Sequence, residues 1–231
     1  MKTIGLIGGM SWESSAHYYQ RINEEIKQRL GGLHSAQIVL YSVDFHDIER
    51  LQHAGKWDEA GACLAQAARS LEAAGADFLV LCTNTMHKVL PAIEAAVKIP
   101  FLHIADPTAN AVKSADIRRI GLLGTRFTME QDFYRGRLEA LHGLQVLIPD
   151  DADRQVVHEV IYNELCLGIV RDESRQAYRE VIDRLIAQGA QGIILGCTEI
   201  AMLVSPTDSP VPVFDTTAIH ASSAVEFSLK P

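Results

Sequence analysis

Residues 192–201 read GIILGCTEIA, and residues 78–87 read FLVLCTNTMH. Each stretch drives a short, unbroken apolar run into a cluster of small polar residues. Runs of four or five apolar residues bounded by Gly or Thr fit strands buried on both faces, the kind from which parallel sheets are made. Outward from these two, TIGLIGG, AQIVLYSVD, PFLHIAD, RIGLLGT, LQVLIPD and VPVFDTT read the same way. Between them SSAHYYQRINEEIKQRL and DEAGACLAQAARSLEAAGA space their apolar residues for helices, the second stopped by Gly75. A further helix is expected from about Met129 to Leu141, and RDESRQAYREVIDRL reads as a charged helix face. Strands alternating with helices predict an α/β protein with parallel sheets.

The chain also matches itself. Ile4-Gly5-Leu6-Ile7-Gly8 resembles Ile120-Gly121-Leu122-Leu123-Gly124, Gly75-Ala76 resembles Gly189-Ala190, and Pro100 in IPFLHIAD resembles Pro212 in VPVFDTT. Three anchors in one order at nearly constant separation point to an internal duplication. The expectation is two similar Rossmann-like domains related by a pseudo-two-fold, residues 1–103 plus 213–231 and residues 104–212, with the active site in the cleft between them.

Bulk composition narrows the function. The chain has 231 residues, 48% hydrophobic and 22% charged, with a formal charge of -8, and offers no basic stripe for a nucleic-acid partner. No apolar run approaches the roughly 20 residues of a membrane helix. The opening MKTIGLIGGMS is too short in its apolar run and too broken by glycine for a signal peptide, so it is read as the first strand. Four cysteines without a CxxC pair fit a reduced, cytoplasmic setting.

Aligning Gly75 with Gly189 without gaps sets Thr83, not Cys82, opposite Cys197. Both lie at the carboxyl end of a buried strand, the edge where open α/β sheets bind ligands. Two such groups on opposite sides of one substrate suit a reaction that needs an acid on one face of a carbon and a base on the other. A thiol that titrates near ~8.5 becomes a usable base when a helix start or nearby donors lower that value. Asn84, Thr85 and Thr198 are suited to hold a substrate carboxylate, and the backbone N–H of Met10 in the glycine turn to reach a small anion. That turn reads G-x-x-G-G rather than G-x-G-x-x-G, so a dinucleotide is not indicated. No cofactor and no metal set is signalled. Cys63 is expected to fill the core, Cys82 to point away from the site, and Trp12 and Tyr18 to pack, Trp12 close to the first loop. His87 could orient the site or pack, and Glu199 could tune Cys197 or cap a helix.

GLIGGMSWES, CTNTMH and GCTE together resemble the aspartate/glutamate racemase superfamily over essentially the whole chain, nearest to its broad-specificity amino-acid racemases. The resemblance implies racemisation by two acid/base groups without pyridoxal phosphate, an interdomain site, a small amino-acid substrate and a homodimer. Two departures matter. Many members have Cys where this chain has Thr83, which implies asymmetry, with Cys197 the thiolate base and Thr83 a proton donor or relay. Members acting on acidic substrates usually have an Arg in the loop after the second strand and a Lys in the segment matching IYNELCLG; here the loop reads DFHDIERLQ and the segment has Glu164 and Cys166. Broad or polar substrates such as homoserine, glutamate or aspartate are therefore expected, with Gln52 and Glu164 as candidate contacts and Thr198 and Glu199 beside the base. A related isomerase or decarboxylase of small dicarboxylic acids, a thiol hydrolase, and a small-anion binding protein with impaired catalysis remain open alternatives.

Overall fold

The computed structural model describes residues 1–230. The chain divides into two units, Met1–Ile104 with His220–Pro231, and Ala105–Ile219. In the first, β1 (Ile4–Gly8), α1 (Trp12–Leu30), β2 (Ile38–Ser42), α2 (Phe45–His53), α3 (Trp57–Ala73), β3 (Phe78–Leu81), α4 (Leu90–Glu94) and β4 (Phe101–Leu102) follow in turn. The second holds α5 (Ala105–Ser114), β5 (Arg119–Gly124), α6 (Arg126–Glu130), α7 (Arg135–His142), β6 (Gln145–Leu147), α8 (Asp151–Asn163), α9 (Asp172–Ala187), β7 (Ile193–Gly196), α10 (Ile200–Leu203) and β8 (Val213–Asp215). The last helix, α11 (Thr216–Leu229), begins in the second unit and ends in the first.

Each unit has one four-stranded sheet, in the orders β2-β1-β3-β4 and β6-β5-β7-β8. All six strand pairs are parallel. The identical order is what a duplicated βαβ scaffold gives. β8 is hydrogen bonded to β7, so the stretch from residue 213 divides: residues 213–215 complete the second sheet, and residues from His220 belong to the first unit.

Alternation along β3 explains why its sequence is apolar throughout. Phe78, Val80 and Cys82 enter a core made with Tyr18, Ile22 and Ile26 of α1 and Ala221, Ala224 and Val225 of α11. Leu79 and Leu81 point the other way, into a core with Ile48, Leu51, Leu64, Ala68 and Leu71 of α2 and α3. Successive strand residues face opposite sides, and burying each Leu or Ile contributes on the order of 2 kcal/mol. In the second unit Ile120, Leu122, Leu123, Ile193, Ile194 and Leu195 of the sheet, with Val181, Ile182 and Leu185 of α9, are all buried.

Three local expectations are corrected. Cys63 is exposed, because the buried stripe of α3 runs through Ala60, Leu64, Ala67, Ala68 and Leu71 and leaves position 63 outside it. Trp12 is 67% exposed although Tyr18 is fully buried; Trp12 is the first residue of α1, ahead of the helix's buried stripe. The helix expected over 129–141 is two helices. Thr125 caps α6 by accepting from the Thr128 N–H, and Gln131 turns extended and ends it, before α7 begins at Arg135.

Candidate active site

The carboxyl ends of the central strands carry the polar clusters, each unit building its own. In the first, the β1–α1 turn passes hard against the end of β2. Gly9 has φ +95, and a Cβ there would lie 2.2 Å from the Val43 carbonyl oxygen, so only glycine fits. The Gly9 N–H donates to Ser15 Oγ at 2.8 Å, and Ser11 caps α1. The Met10 side chain is buried among Ile7, Leu51 and Met86.

Strand register fixes what corresponds to what. In the first sheet Ile7 pairs with Leu81, and the Cys82 N–H donates to the Ile7 carbonyl at 2.9 Å. In the second, Leu123 pairs with Leu195 and Gly124 with Gly196. Ile7 precedes Gly8 as Leu123 precedes Gly124, so Leu81 corresponds to Leu195, Cys82 to Gly196 and Thr83 to Cys197. Gly196 has to be glycine, since a Cβ would stand 2.8 Å from the Leu123 carbonyl oxygen. Cys82, by contrast, points into the core, and burial pushes its thiol far above the ordinary range.

Around Thr83 the backbone is held at both ends. Its N–H donates to the Leu81 carbonyl at 2.9 Å, and its carbonyl accepts from His87 Nδ1 at 2.8 Å. Thr83, Asn84 and Thr85 are all buried, and residues Thr85–Val89 form a 3-10 turn. Gln52, on α2, is also buried, its amide donating to Met86 Sδ at 2.9 Å. Thioether sulfur is a weak acceptor, so Gln52 can exchange that contact for a better one.

Around Cys197 the arrangement is acidic. Sγ donates to Glu199 Oε2 at 3.0 Å, and Thr198 Oγ1 donates to the same oxygen at 2.7 Å. Cys197, Thr198 and Glu199 are each buried. Burial first, then the charges of Glu199 and Cys166 and the hydrogen bond to Glu199, push the Cys197 thiol well above its ordinary value. The sequence led to a lowered value. That expectation is corrected: the group beside the sulfur is an acceptor, α10 starts only at Ile200, and the resting group is a thiol.

Glu164 closes α8 and is engaged, accepting from Ser174 Oγ at 2.6 Å with the Arg171 guanidinium 3.5 Å away. Tyr178 lies fully buried on the inner side of α9, donating to the Val157 carbonyl at 3.0 Å. Burial, then the charges of Cys197, Glu164 and Cys166, raise its phenol. The charged face therefore covers only the outer side of α9; Ser174 and Tyr178, at a spacing of four, were the legible sign of an inner one. Thr125, at the end of β5, is buried with its hydroxyl 3.3 Å from that of Thr128. Sequence reading passed over both, although the duplication sets Thr125 opposite Gly9. Among the described residues no group of three or more His, Cys, Asp or Glu could hold a metal ion, and no helix is long and apolar enough to cross a membrane.

Residues 7–224 match the model of the Asp/Glu/hydantoin racemase family. The broad specificity amino-acid racemase RacX of Bacillus subtilis (strain 168) is 25% identical over 230 residues, 96% of each chain. Among solved structures, a candidate Asp/Glu racemase from Yersinia pestis superposes with a TM-score of 0.93 at 61% identity. An aspartate racemase homologue from Pyrococcus horikoshii OT3 gives 0.86 at 31% identity. Both structural matches cover 100% of each chain.

Proposed function

Because this chain belongs to the Asp/Glu/hydantoin racemase family, we propose that it is an amino-acid racemase that needs no cofactor, with Cys197 and Thr83 serving opposite faces of the substrate Cα. The observation that carries this reading is the register equivalence of Thr83 and Cys197, one residue past the same point of two like-ordered sheets.

Cys197 starts as a thiol. Its proton passes from Sγ to Glu199 Oε2, already its acceptor at 3.0 Å, and the thiolate left behind removes the proton from Cα. The substrate ammonium offsets the negative charge this creates. A proton returns on the other face through the Thr83 hydroxyl, which relays it from water because a neutral hydroxyl holds its own proton too tightly to act as a store; the hydroxide left behind takes up the proton held on Glu199, which restores the starting state. Asn84, Thr85, Thr198 and the β1–α1 turn with Met10 bind the α-carboxylate, so that charge developing on the carbanion meets donors fixed in advance. Broad or polar side chains fit best: Gln52 can give up its thioether contact to a substrate oxygen, and Glu164, held by Ser174 and Arg171, disfavours a bare second carboxylate beside it. Homoserine is the substrate to try first, with glutamate and aspartate after it.

The deciding experiment incubates both enantiomers of these and the other common amino acids in heavy water. Deuterium at Cα together with inversion is expected, and Cys197→Ala should remove both. Failure to exchange any of them would sink the reading.

A further inference from the structure

Three buried imidazoles in the first unit, those of His87, His103 and His220, have no part in the chemistry just described. The rings of His87 and His103 are 4.5 Å apart, and those of His87 and His220 6.3 Å. Burying an unsatisfied imidazole is costly, and here both nitrogens of His87 and one of His220 are spent on backbone. His87 Nε2 accepts from the Ile104 N–H at 3.2 Å, which requires that its proton be on Nδ1, the nitrogen 2.8 Å from the Thr83 carbonyl oxygen. His220 Nε2 faces the Leu102 carbonyl at 2.9 Å and must donate there, so Nδ1 accepts from the Tyr18 hydroxyl at 2.9 Å. The tautomers are thereby fixed in opposite senses. Burial, then the neighbouring His103 and His220, keep His87 neutral by lowering its pKa well below the usual histidine value.

We propose that His87 is the positioning residue for Thr83. With the Thr83 N–H tied to Leu81 and its carbonyl tied to His87, both of its backbone torsions are set, and with them the direction of its Cα–Cβ bond. Only χ1 is left to the hydroxyl. His220 steadies the other end of the clamp, because the Leu102 carbonyl it holds lies two residues from the Ile104 N–H that orients His87.

The inference rests on the racemase reading, and its test separates the two. Asn at position 87 keeps an amide N–H near the place of Nδ1, whereas Gln keeps a polar group near Nε2 and loses that donor. Each variant is assayed for inversion of both enantiomers, for deuterium exchange with retention on the face served by Cys197, and for thermal midpoint. His87→Gln should lower kcat for inversion on the order of 10²-fold, the scale of a misplaced reacting group, with KM little changed. His87→Asn should restore most of it. Inversion should fall at least about ten-fold further than same-face exchange, and His87→Gln should add nothing in a Thr83→Ala background. Equal losses in the Asn and Gln variants, no loss in either, or inversion and exchange falling together would overturn the positioning role. Nitrogen NMR gives a readout apart from activity, and a proton on Nε2 of His87 would equally overturn it. If the unaltered protein neither exchanges nor inverts, or Thr83→Ala inverts normally, the racemase reading fails and takes this inference with it.

Discussion

The Thr83 loop and the Cys197 loop occupy the same position on two like sheets and are built from opposite chemistry. Thr83 is flanked by the neutral imidazole of His87, which holds its backbone carbonyl. Cys197 is flanked by a carboxylate that accepts a hydrogen bond from the sulfur itself. In the proposed reaction a hydroxyl needs only placement, while a thiol must also lose a proton, so each loop has the partner that reaction would require. A duplicated scaffold thus preserves where a group sits far more strictly than what the group is.

The contrast can be broken most sharply at the sulfur. Cys197→Ala should lower both inversion and Cα exchange by about 10³-fold or more, within the range general acid–base groups command, as read by proton NMR in heavy water. Thr83→Ala should cost about 10²-fold in inversion yet spare exchange with retention on the Cys197 face. Thr83→Cys should make the two loops alike, so that kcat values measured from the two enantiomers by chiral chromatography converge. The ratio of their kcat/KM values stays at unity in every variant, because enantiomers have equal free energy in an achiral solvent.

Glu199→Gln removes the charge that holds the Cys197 proton and the base that would receive it, while its amide oxygen can still accept from the sulfur. The thiol should then titrate lower, followed by thiolate absorbance or alkylation rate against pH, while activity falls roughly ten-fold or more for want of a proton acceptor. A lowered thiol pKa with unchanged turnover would mean that Glu199 only burdens the sulfur.

The smallest effect on catalysis is expected at Asp208, which anchors the region after α10. Burial alone would raise its pKa, but the Ser205 N–H and Oγ and the Arg179 guanidinium overcome that and hold it at about 2. A carboxylate depressed in the folded state stabilises above its unfolded value near 4 and loses that contribution as pH falls through about 2. Asp208→Asn should cost about 1–3 kcal/mol at neutral pH and flatten the acid branch of stability, measured by denaturant titration between pH 2 and 6. The Thr83 clamp has an acid sensitivity of its own: burial and the neighbouring imidazoles hold His87 neutral, with its pKa well below the ordinary histidine value, so stability falls as pH drops below that ordinary value and the unfolded chain takes up the proton.

Most of the scaffold could be read from residues. The apolar runs marked all eight strands, but burial on both faces holds for the central ones, since the edge strand β2 leaves Leu40, Tyr41 and Ser42 exposed; the Gly75/Gly189 match set the gapless alignment of Thr83 with Cys197 that the strand register reproduces. What escaped was tertiary. Nothing local tells that Gln131 turns extended, or that Cys63 sits just off a stripe made of alanines. The direction of the Cys197 shift escaped too, because a helix start and a carboxylate two residues along make opposite demands on a thiol, and the distance from Sγ to Oε2 decides between them. The imidazole clamp joins residues 18, 87, 104 and 220, separations at which no motif can be seen.

One feature of the chain's path bears on its biosynthesis. The second unit is a single continuous stretch, whereas the core of the first lacks Ala221, Ala224 and Val225 until the final helix has left the ribosome. The half that is made first therefore completes that core last, with α1 alone covering this side of its β-sheet, while the later half can finish folding ahead of it.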